Sequence, residues 1–313
     1  MAPRFEKLVL VTRKTRLQQL IARFNSRGQA KFYIEHAGGD FDDYQREDDA
    51  YARSLEVLHR QLDLGIKIHQ IDREIVPTFL FAPTDLVVAV GQDGLVANVA
   101  KYVGAQPIVP INPDPERFDG VLLPFRPHQA HGAVTRVLEA KAKLREITLA
   151  EARLADGQRL LAFNDLFIGA RSHVSAQYEL RAPGSERKAE IQSSSGVLIS
   201  TGAGSTGWLS SVFNMAASVT SFLGEPSTAK PMQLAWEDPR LVYIVREPFV
   251  SRHSHATLVA GVVRPGETLT LESRMPIGGV VFSDGVPTDA LDFNAGAIAS
   301  IGAAPHRTKL VVA

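Results

Sequence analysis

The sequence of 313 residues predicts an α/β N-terminal domain built on a parallel sheet, followed by a mainly antiparallel β domain. Three observations predict it. Short apolar runs alternate with helical patterns as far as residue 125. From Arg145 onward the chain carries short strand-type runs separated by turn residues. The whole contains neither an internal repeat at fixed period nor a low-complexity tract. The expected domains are residues 1–125, residues 126–285, and a closing segment, 286–313, that returns towards the first domain.

Taken in order, "KLVLVT" is a short buried strand, and "TRLQQLIARFNSRG" has helical spacing at Leu17, Leu20, Ile21 and Phe24 and ends at Gly28. The acidic run "GGDFDDYQREDD" opens a long charged helix that stops near Gly65; acids suit the positive end of the helix dipole, so a solvated helix start accounts for them better than a metal site. "IKIHQID", "DLVVAVG" and "QPIVPIN" are strands, with the helix "LVANVAKYVG" between the last two. After the helix "HQAHGAVTRVLEAKAKL" come "EITLAEARL", "RLLAFNDLFIG", "VSAQYELR" and "GVLIS", with turns at "ADGQ" and "APGSER". The helix "TGWLSSVFNMAASVTSFLG" interrupts a series that resumes at "LVYIVREP", "ATLVAGVV", "ETLTLESR", "GGVVFSDG", "AIASIG" and "KLVVA".

Lysine and arginine number 34, as do aspartate and glutamate, so the chain lacks the positive excess that supports general nucleic-acid or membrane binding. A local basic cleft for a phosphorylated ligand remains compatible with it. Cysteine is absent, which excludes disulfides and thiolate metal sites and fits a reducing compartment. The apolar run near the start is too short for a signal-peptide core, and no segment reaches the roughly 20 apolar residues of a membrane span. The expectation is a cytoplasmic, soluble protein. His253 and His255 alternate along an expected strand, and His128 and His131 lie three apart on a helix; without a third well-spaced ligand, neither pair points to metal.

Three short stretches carry chemistry. "GQDG", Gly91 to Gly94, lies between a strand and a helix, where backbone N–H groups and the helix dipole meet phosphate. Asp93 is a ligand-facing acid there or the cap of the helix. "STGAGSTGW", Ser200 to Trp208, sets glycines and hydroxyl residues at a second strand-to-helix passage, more than a cap requires. "FNDLFIG" places Asn164 and Asp165 inside an apolar run, where buried polar groups must find partners. There is no Walker loop, nucleophile elbow or dinucleotide fingerprint.

In chain order, "GQDGL", "FNDLFIG" and "STGAGSTGW" resemble the motifs of the NAD kinases, within the group that includes diacylglycerol and sphingosine kinases. That family carries Gly-Gly-Asp-Gly-Thr after a strand, then Asn-Glu, then a Thr-Gly-Ser-Thr-like loop entering a helix. "INPDPERFDGVLLPF", "SSSGVLISTGAGSTGW", "VREPF" and "LDFNAGAIASI" are similar to the divergent branch typified by mitochondrial NAD kinase. The resemblance runs from about Leu86 to the end of the sequence and more loosely from the first strand.

It implies ATP-dependent phosphorylation of the 2′-hydroxyl of the adenosine ribose of NAD(H), with ATP as donor, Mg²⁺ held largely by the nucleotide, and a homodimer or larger homo-oligomer. Asp93 would orient or deprotonate the hydroxyl. Gly91, Gln92 and Gly94 would lie against phosphate, and Asn112 would shape a wall of the cleft. Asn164 and Asp165 would hold adenosine or ribose hydroxyls, with Asp165 standing where glutamate is usual. Thr201, Gly204, Ser205, Thr206 and Trp208 would line the same cleft. Ser195 stands where many NAD kinases, though not the mitochondrial branch, have an aspartate. Gln92 replaces a glycine and Leu95 a threonine; if position 92 needs a positive φ, glutamine there costs about 1 kcal/mol or more. The alternatives are a non-catalytic nucleotide-binding protein of the same fold and a kinase for another hydroxyl acceptor, lipid or sugar.

Overall fold

The computed structural model describes residues 5–184, 189–224 and 232–313; the turn expected at "APGSER" lies partly outside them. Two compact units divide the chain: Met1–Arg145 with Thr308–Ala313, and Glu146–Arg307.

The first unit contains β1 (Lys7–Thr12), α1 (Arg16–Phe24), α2 (Arg27–His36), α3 (Phe41–Gln61), β2 (Lys67–Asp72), β3 (Asp85–Val90), α4 (Asp93–Ala100), β4 (Pro107–Ile111) and α5 (Ala130–Leu138). Its strands are parallel in the order β2-β1-β3-β4, and Lys309 and Leu310 add a further parallel pairing on β4. β3 is buried at every position. Leu86, Val88 and Val90 face one way, with Tyr51 and Leu58 of α3 and Ala133 and Val134 of α5. α4 packs against β3 and β4. A strand covered on both faces is apolar along its length, which is why "LVVAV" after Asp85 reads as a continuous run.

The sequence expects one helix ending at Gly28; the chain instead makes two. Asn25 takes the left-handed conformation at φ 59°, closing α1, and Ser26 starts α2 by accepting a hydrogen bond at its Oγ from Gln29 N at 3.1 Å. An asparagine tolerates that backbone better than most residues, so the break needs no glycine.

The second unit is antiparallel β. It contains most of β5 (Lys143–Leu154), then β6 (Arg159–Ala162), β7 (Asp165–Ala170), β8 (Ala176–Arg181), β9 (Glu190–Ser194), β10 (Gly196–Ser200), α6 (Trp208–Phe222), β11 (Leu241–Arg246), β12 (Ala260–Val263), β13 (Leu269–Ser273), β14 (Gly279–Ser283), β15 (Val286–Asp292) and most of β16 (Ile298–Val312). One sheet runs β12-β11-β10-β7-β14-β15. The other sets the first part of β16 beside β13, β8 and β9, with β5 and β6 paired alongside. Val197, Ile199, Leu166, Ile168 and Val281 of the first meet Tyr178, Leu180, Leu269 and Leu271 of the second in one core. Leu198 points the other way, to Leu209 and Phe213 of α6.

Two further expectations change. "AIASIG" and "KLVVA" belong to one strand, β16, which continues through Pro305. His253 and His255 lie in an irregular segment before β12, not on a strand.

Candidate functional site

The second unit brings two of the sequence motifs together because β7 and β10 are neighbours. Asp165, the first residue of β7, is paired with Ser200, the last of β10. The loop that leaves β10 is then stitched back over the residues that enter β7. Thr201 N donates to Asn164 O at 2.9 Å, Thr201 Oγ1 to Phe163 O at 2.6 Å, and Gly204 N to Thr201 Oγ1 at 3.2 Å. The fit is close: a Cβ on Gly204 would stand 2.3 Å from Asn164 O and 2.7 Å from Asp165 Oδ1. Only glycine lets the two motifs approach so far.

Where they meet, the surface sinks into a cavity of about 710 Å³. Asn164, Asp165, Gly204 and Thr206 line its polar side. Phe167, Trp208 and Phe282 line the other; the Phe167 ring lies 5.6 Å from Trp208 and 6.4 Å from Phe282, centroid to centroid, at 19° in both cases. The ring of Phe167 passes over Gly169 and Gly196, whose missing side chains leave it room. Arg246 sets its guanidinium 5.3 Å from the Trp208 centroid and 6.0 Å from that of Phe167. A flat apolar wall, one cation and a polar edge suit a ligand with an aromatic base, hydroxyls and a negative charge.

Asp165 is the unusual group. Burial pushes its carboxyl up to about 7, and the charge of Asp284 adds to the effect against a hydrogen bond from Ser200. Its Oδ1 is buried with no hydrogen-bond partner. Asp284 sits at the turn between β14 and β15, with φ 51° followed by Gly285 at φ 68°, a two-residue hairpin turn with both central residues left-handed. Its carboxylate accepts from Phe163 N at 2.9 Å, Asn164 N at 2.6 Å and Asp165 N at 3.3 Å.

In the first unit, β3 ends at the GQDG turn, at the carboxyl edge of the sheet where ligands of α/β proteins bind. Asp93 is the first residue of α4 and not its cap; that position belongs to Gln92, whose side chain makes no capping bond. Asp93 Oδ1 instead accepts from Leu122 N at 2.7 Å. Asn112 works on the same loop. Its Nδ2 donates to Phe118 O at 2.9 Å, its Oδ1 accepts from Asp114 N at 3.0 Å, and Asn112 N donates to Phe125 O at 2.7 Å. Arg117 ties that loop to Asp43 of α3 at 2.8 Å. Gln92 has φ −106°, an ordinary extended value, so glutamine is unstrained there. Gly91 has a packing reason: a Cβ would lie 2.9 Å from Leu95 Cδ2 and 3.5 Å from Arg13 Cδ.

Comparison with solved structures gives the fold its name. Yeast NADH kinase, solved with NADH, matches with a TM-score of 0.59 and 16% identity, over 98% of this chain and 83% of that one. An NAD kinase from Archaeoglobus fulgidus, solved with ATP, matches with a TM-score of 0.53 and 17% identity, over 97% of this chain and 93% of that one. The fold is that of the NAD kinases. No protein-family model matches the sequence, and no curated protein matches it.

Within this NAD kinase fold, the residues singled out in the sequence separate into groups. Asn164, Asp165, Gly204, Thr206 and Trp208 line one cavity. Thr201 and Ser205 are fully buried beneath it and spend their hydroxyls on the loop, Ser205 Oγ donating to Gly202 O at 2.7 Å. Ser195 is exposed at the turn before β10, its N donating to Arg246 O at 3.0 Å. Gly91, Gln92, Asp93, Gly94 and Asn112 belong to the first unit.

Sequence reasoning missed Arg246, Phe282 and Asp284. Phe282 is an ordinary strand residue in sequence and nothing local marks it; Arg246 lies in "VREPF", a stretch similar to the family, but nothing there gave the arginine a role. Asp284 carried a signal: Asp-Gly between two apolar runs marks a two-residue hairpin, which puts the aspartate at the tip of the turn.

Proposed function

We propose that the protein phosphorylates the 2′-hydroxyl of the adenosine ribose of NAD(H), using ATP. The observation that carries this reading is the convergence of Asn164, Asp165, Gly204, Thr206 and Trp208, from two separate motifs, on one cavity walled by near-parallel rings. The NADH and ATP bound in the two structures of like fold support nucleotides as the ligands.

In this reading the rings and Arg246 hold a base and neighbouring negative charge, while Asn164 and Asp165 take hydroxyls. Asp93 orients the acceptor hydroxyl and receives its proton as the O2′–phosphorus bond forms and the bond from the γ-phosphorus to the β-phosphate oxygen breaks. Such a reaction asks the protein mainly for positioning and charge neutralisation. Mg²⁺ carried on the donor phosphates would supply part of that charge neutralisation.

The test is an assay of the purified protein with NAD or NADH, ATP and Mg²⁺, reading NADP(H). A non-catalytic nucleotide binder is the second reading. Leu95 favours it, since a buried leucine packs against Gly91 where the family's threonine would offer a hydroxyl. Binding of NADH by calorimetry with no product from any donor would decide for that reading. Product formed only with a lipid or sugar acceptor would replace both.

A further inference from the structure

We propose that Asp284 is a positioning residue for Asp165: by filling the three backbone N–H groups of Phe163, Asn164 and Asp165 with a fixed negative charge, it orients the ligand-facing acceptor and makes this end of the cavity receive hydroxyl or amino donors instead of phosphate. The inference rests on the proposed function only for its choice of nucleotide probe.

The geometry carries it. Three successive N–H groups pointing to one place form a concavity that attracts anions. Here the protein supplies the anion itself, at 2.9, 2.6 and 3.3 Å. The grip is reciprocal, because Asp284 N donates to Asp165 O at 3.0 Å. Asp284 can reach all three donors only because its left-handed turn brings the backbone back over the start of β7. Phosphate is thereby shut out of the concavity. What remains for a ligand is the half-buried carboxyl of Asp165, which lines the cavity, while its Oδ1 is buried against Gly204 without a partner.

The charge has a second effect. Burial is the main cause of the raised Asp165 carboxyl, and the fixed carboxylate of Asp284 beside it adds to the shift by opposing ionisation. The other elements around Asp165 bring one charged side chain to the cavity, Arg246 from β11, which points to the ring wall and pairs with Glu247 at 3.4 Å. β10 brings the neutral Ser200, and the loop into α6 lines the cavity with Ala203, Gly204, Thr206, Gly207 and Trp208, none of them charged. Asp284 is the negative neighbour, so its removal must be read at Asp165.

The experiment follows the Asp165 carboxyl by NMR in protein labelled with ¹³C-aspartate, the signal assigned by its loss in Asp165→Asn. In Asp284→Asn the titration midpoint of Asp165 is expected to fall, while burial still holds it above the ordinary carboxylate value. An unchanged midpoint overturns the proposal. Fluorescence titration with NADH is expected to show about tenfold weaker binding in Asp284→Asn, with KM affected more than kcat in the NAD(H) assay. Equal affinity in the two proteins overturns the positioning role. If the wild type binds no NADH, the nucleotide reading fails, and the NMR midpoint alone decides the fate of Asp284. If Asp284→Asn does not fold, the wild type decides: the amide protons of Phe163, Asn164 and Asp165 must be protected from exchange, and rapid exchange of all three ends the proposal.

Discussion

Asp93 Oδ1 accepts a hydrogen bond from Leu122 N at 2.7 Å, so the acid of the GQDG turn anchors the loop that follows β4 and does not cap its own helix. That separates its two possible duties. Asp93→Asn keeps an oxygen for Leu122 N but cannot take a proton. The expected outcome is turnover reduced by roughly 10²–10⁴-fold with little change in melting temperature. Asp93→Ala loses the anchor too and costs about 1–2 kcal/mol in denaturant unfolding. Full turnover in Asp93→Asn removes the residue from the mechanism.

Gln92 and Leu95, the departures from the family motif, have different physical standing. Gln92→Gly relieves no strain, because the backbone at 92 is already extended. Its expected effect is on kinetics alone: higher turnover with ATP, or a changed preference between ATP and polyphosphate, at nearly constant stability. Leu95→Thr removes a side chain 2% exposed and packed on Gly91, and is expected to cost about 2–3 kcal/mol. Steady-state kinetics beside urea titration separates the two.

Two glycines, one in each unit, should answer oppositely to alanine. At Gly204 a methyl would meet Asn164 O and Asp165 Oδ1, forcing apart the motifs that line the cavity. Gly204→Ala is expected to lose about 1–3 kcal/mol and to weaken NADH binding by more than tenfold. At Gly94 a methyl meets nothing within 4 Å, and Gly94→Ala lies near the start of α4. Its expected effect is a slight gain in stability, up to about 1 kcal/mol. Thermal unfolding of both variants checks the contrast.

The raised Asp165 carboxyl makes stability depend on pH in a definite direction. Below the usual carboxylate value, 3.8, both folded and unfolded chains hold the proton and the group costs nothing. As pH rises towards about 7 the unfolded chain ionises first, and the folded state becomes less stable by an amount complete above that value. Asp165→Asn removes this slope. The advantage of the variant should grow between pH 4 and pH 7 and level off at no more than roughly 4 kcal/mol. A difference between the two proteins that is constant from pH 4 to pH 8 would count against a buried Asp165.

Self-association is the remaining expectation. β12 and β15 end the six-stranded sheet, and such edges invite pairing. Light scattering is expected to give a dimer or larger homo-oligomer at micromolar concentration; a 34.1 kDa particle would overturn it.

The fold class was legible because its signals are local. "LVVAV" is a continuous apolar run because β3 is covered on both faces, and "VLI" likewise, with Val197 and Ile199 in the sheet-to-sheet core and Leu198 under α6. Breaks were harder to read where a non-glycine residue took the left-handed conformation, as Asn25 did, or where no breaker separated two runs, as in β16. The strand-to-helix passages of GQDG and STGAGSTGW were legible for the same local reason, the concentration of small residues.

By itself, then, the sequence determined the two classes of structure, the strand ends that carry polar turns, and the acids and amides placed there. Tertiary structure decided what each polar group does. Thr201 and Ser205 read as ligand donors in sequence, yet their hydroxyls are consumed within the protein, Thr201 Oγ1 donating to Phe163 O and Ser205 Oγ donating to Gly202 O and accepting from Leu234 N. Arg246, Phe282 and Asp284 became parts of a cavity only because β11, β14 and the β14–β15 turn come to lie near β7. The physical reason is one of range. Apolar periodicity and turn chemistry act over a few residues and are written along the chain. Hydrogen-bond satisfaction and the charge state of a buried acid depend on neighbours more than a hundred residues away, as Asp284 is from Asp165, and only the packed sheets bring these together.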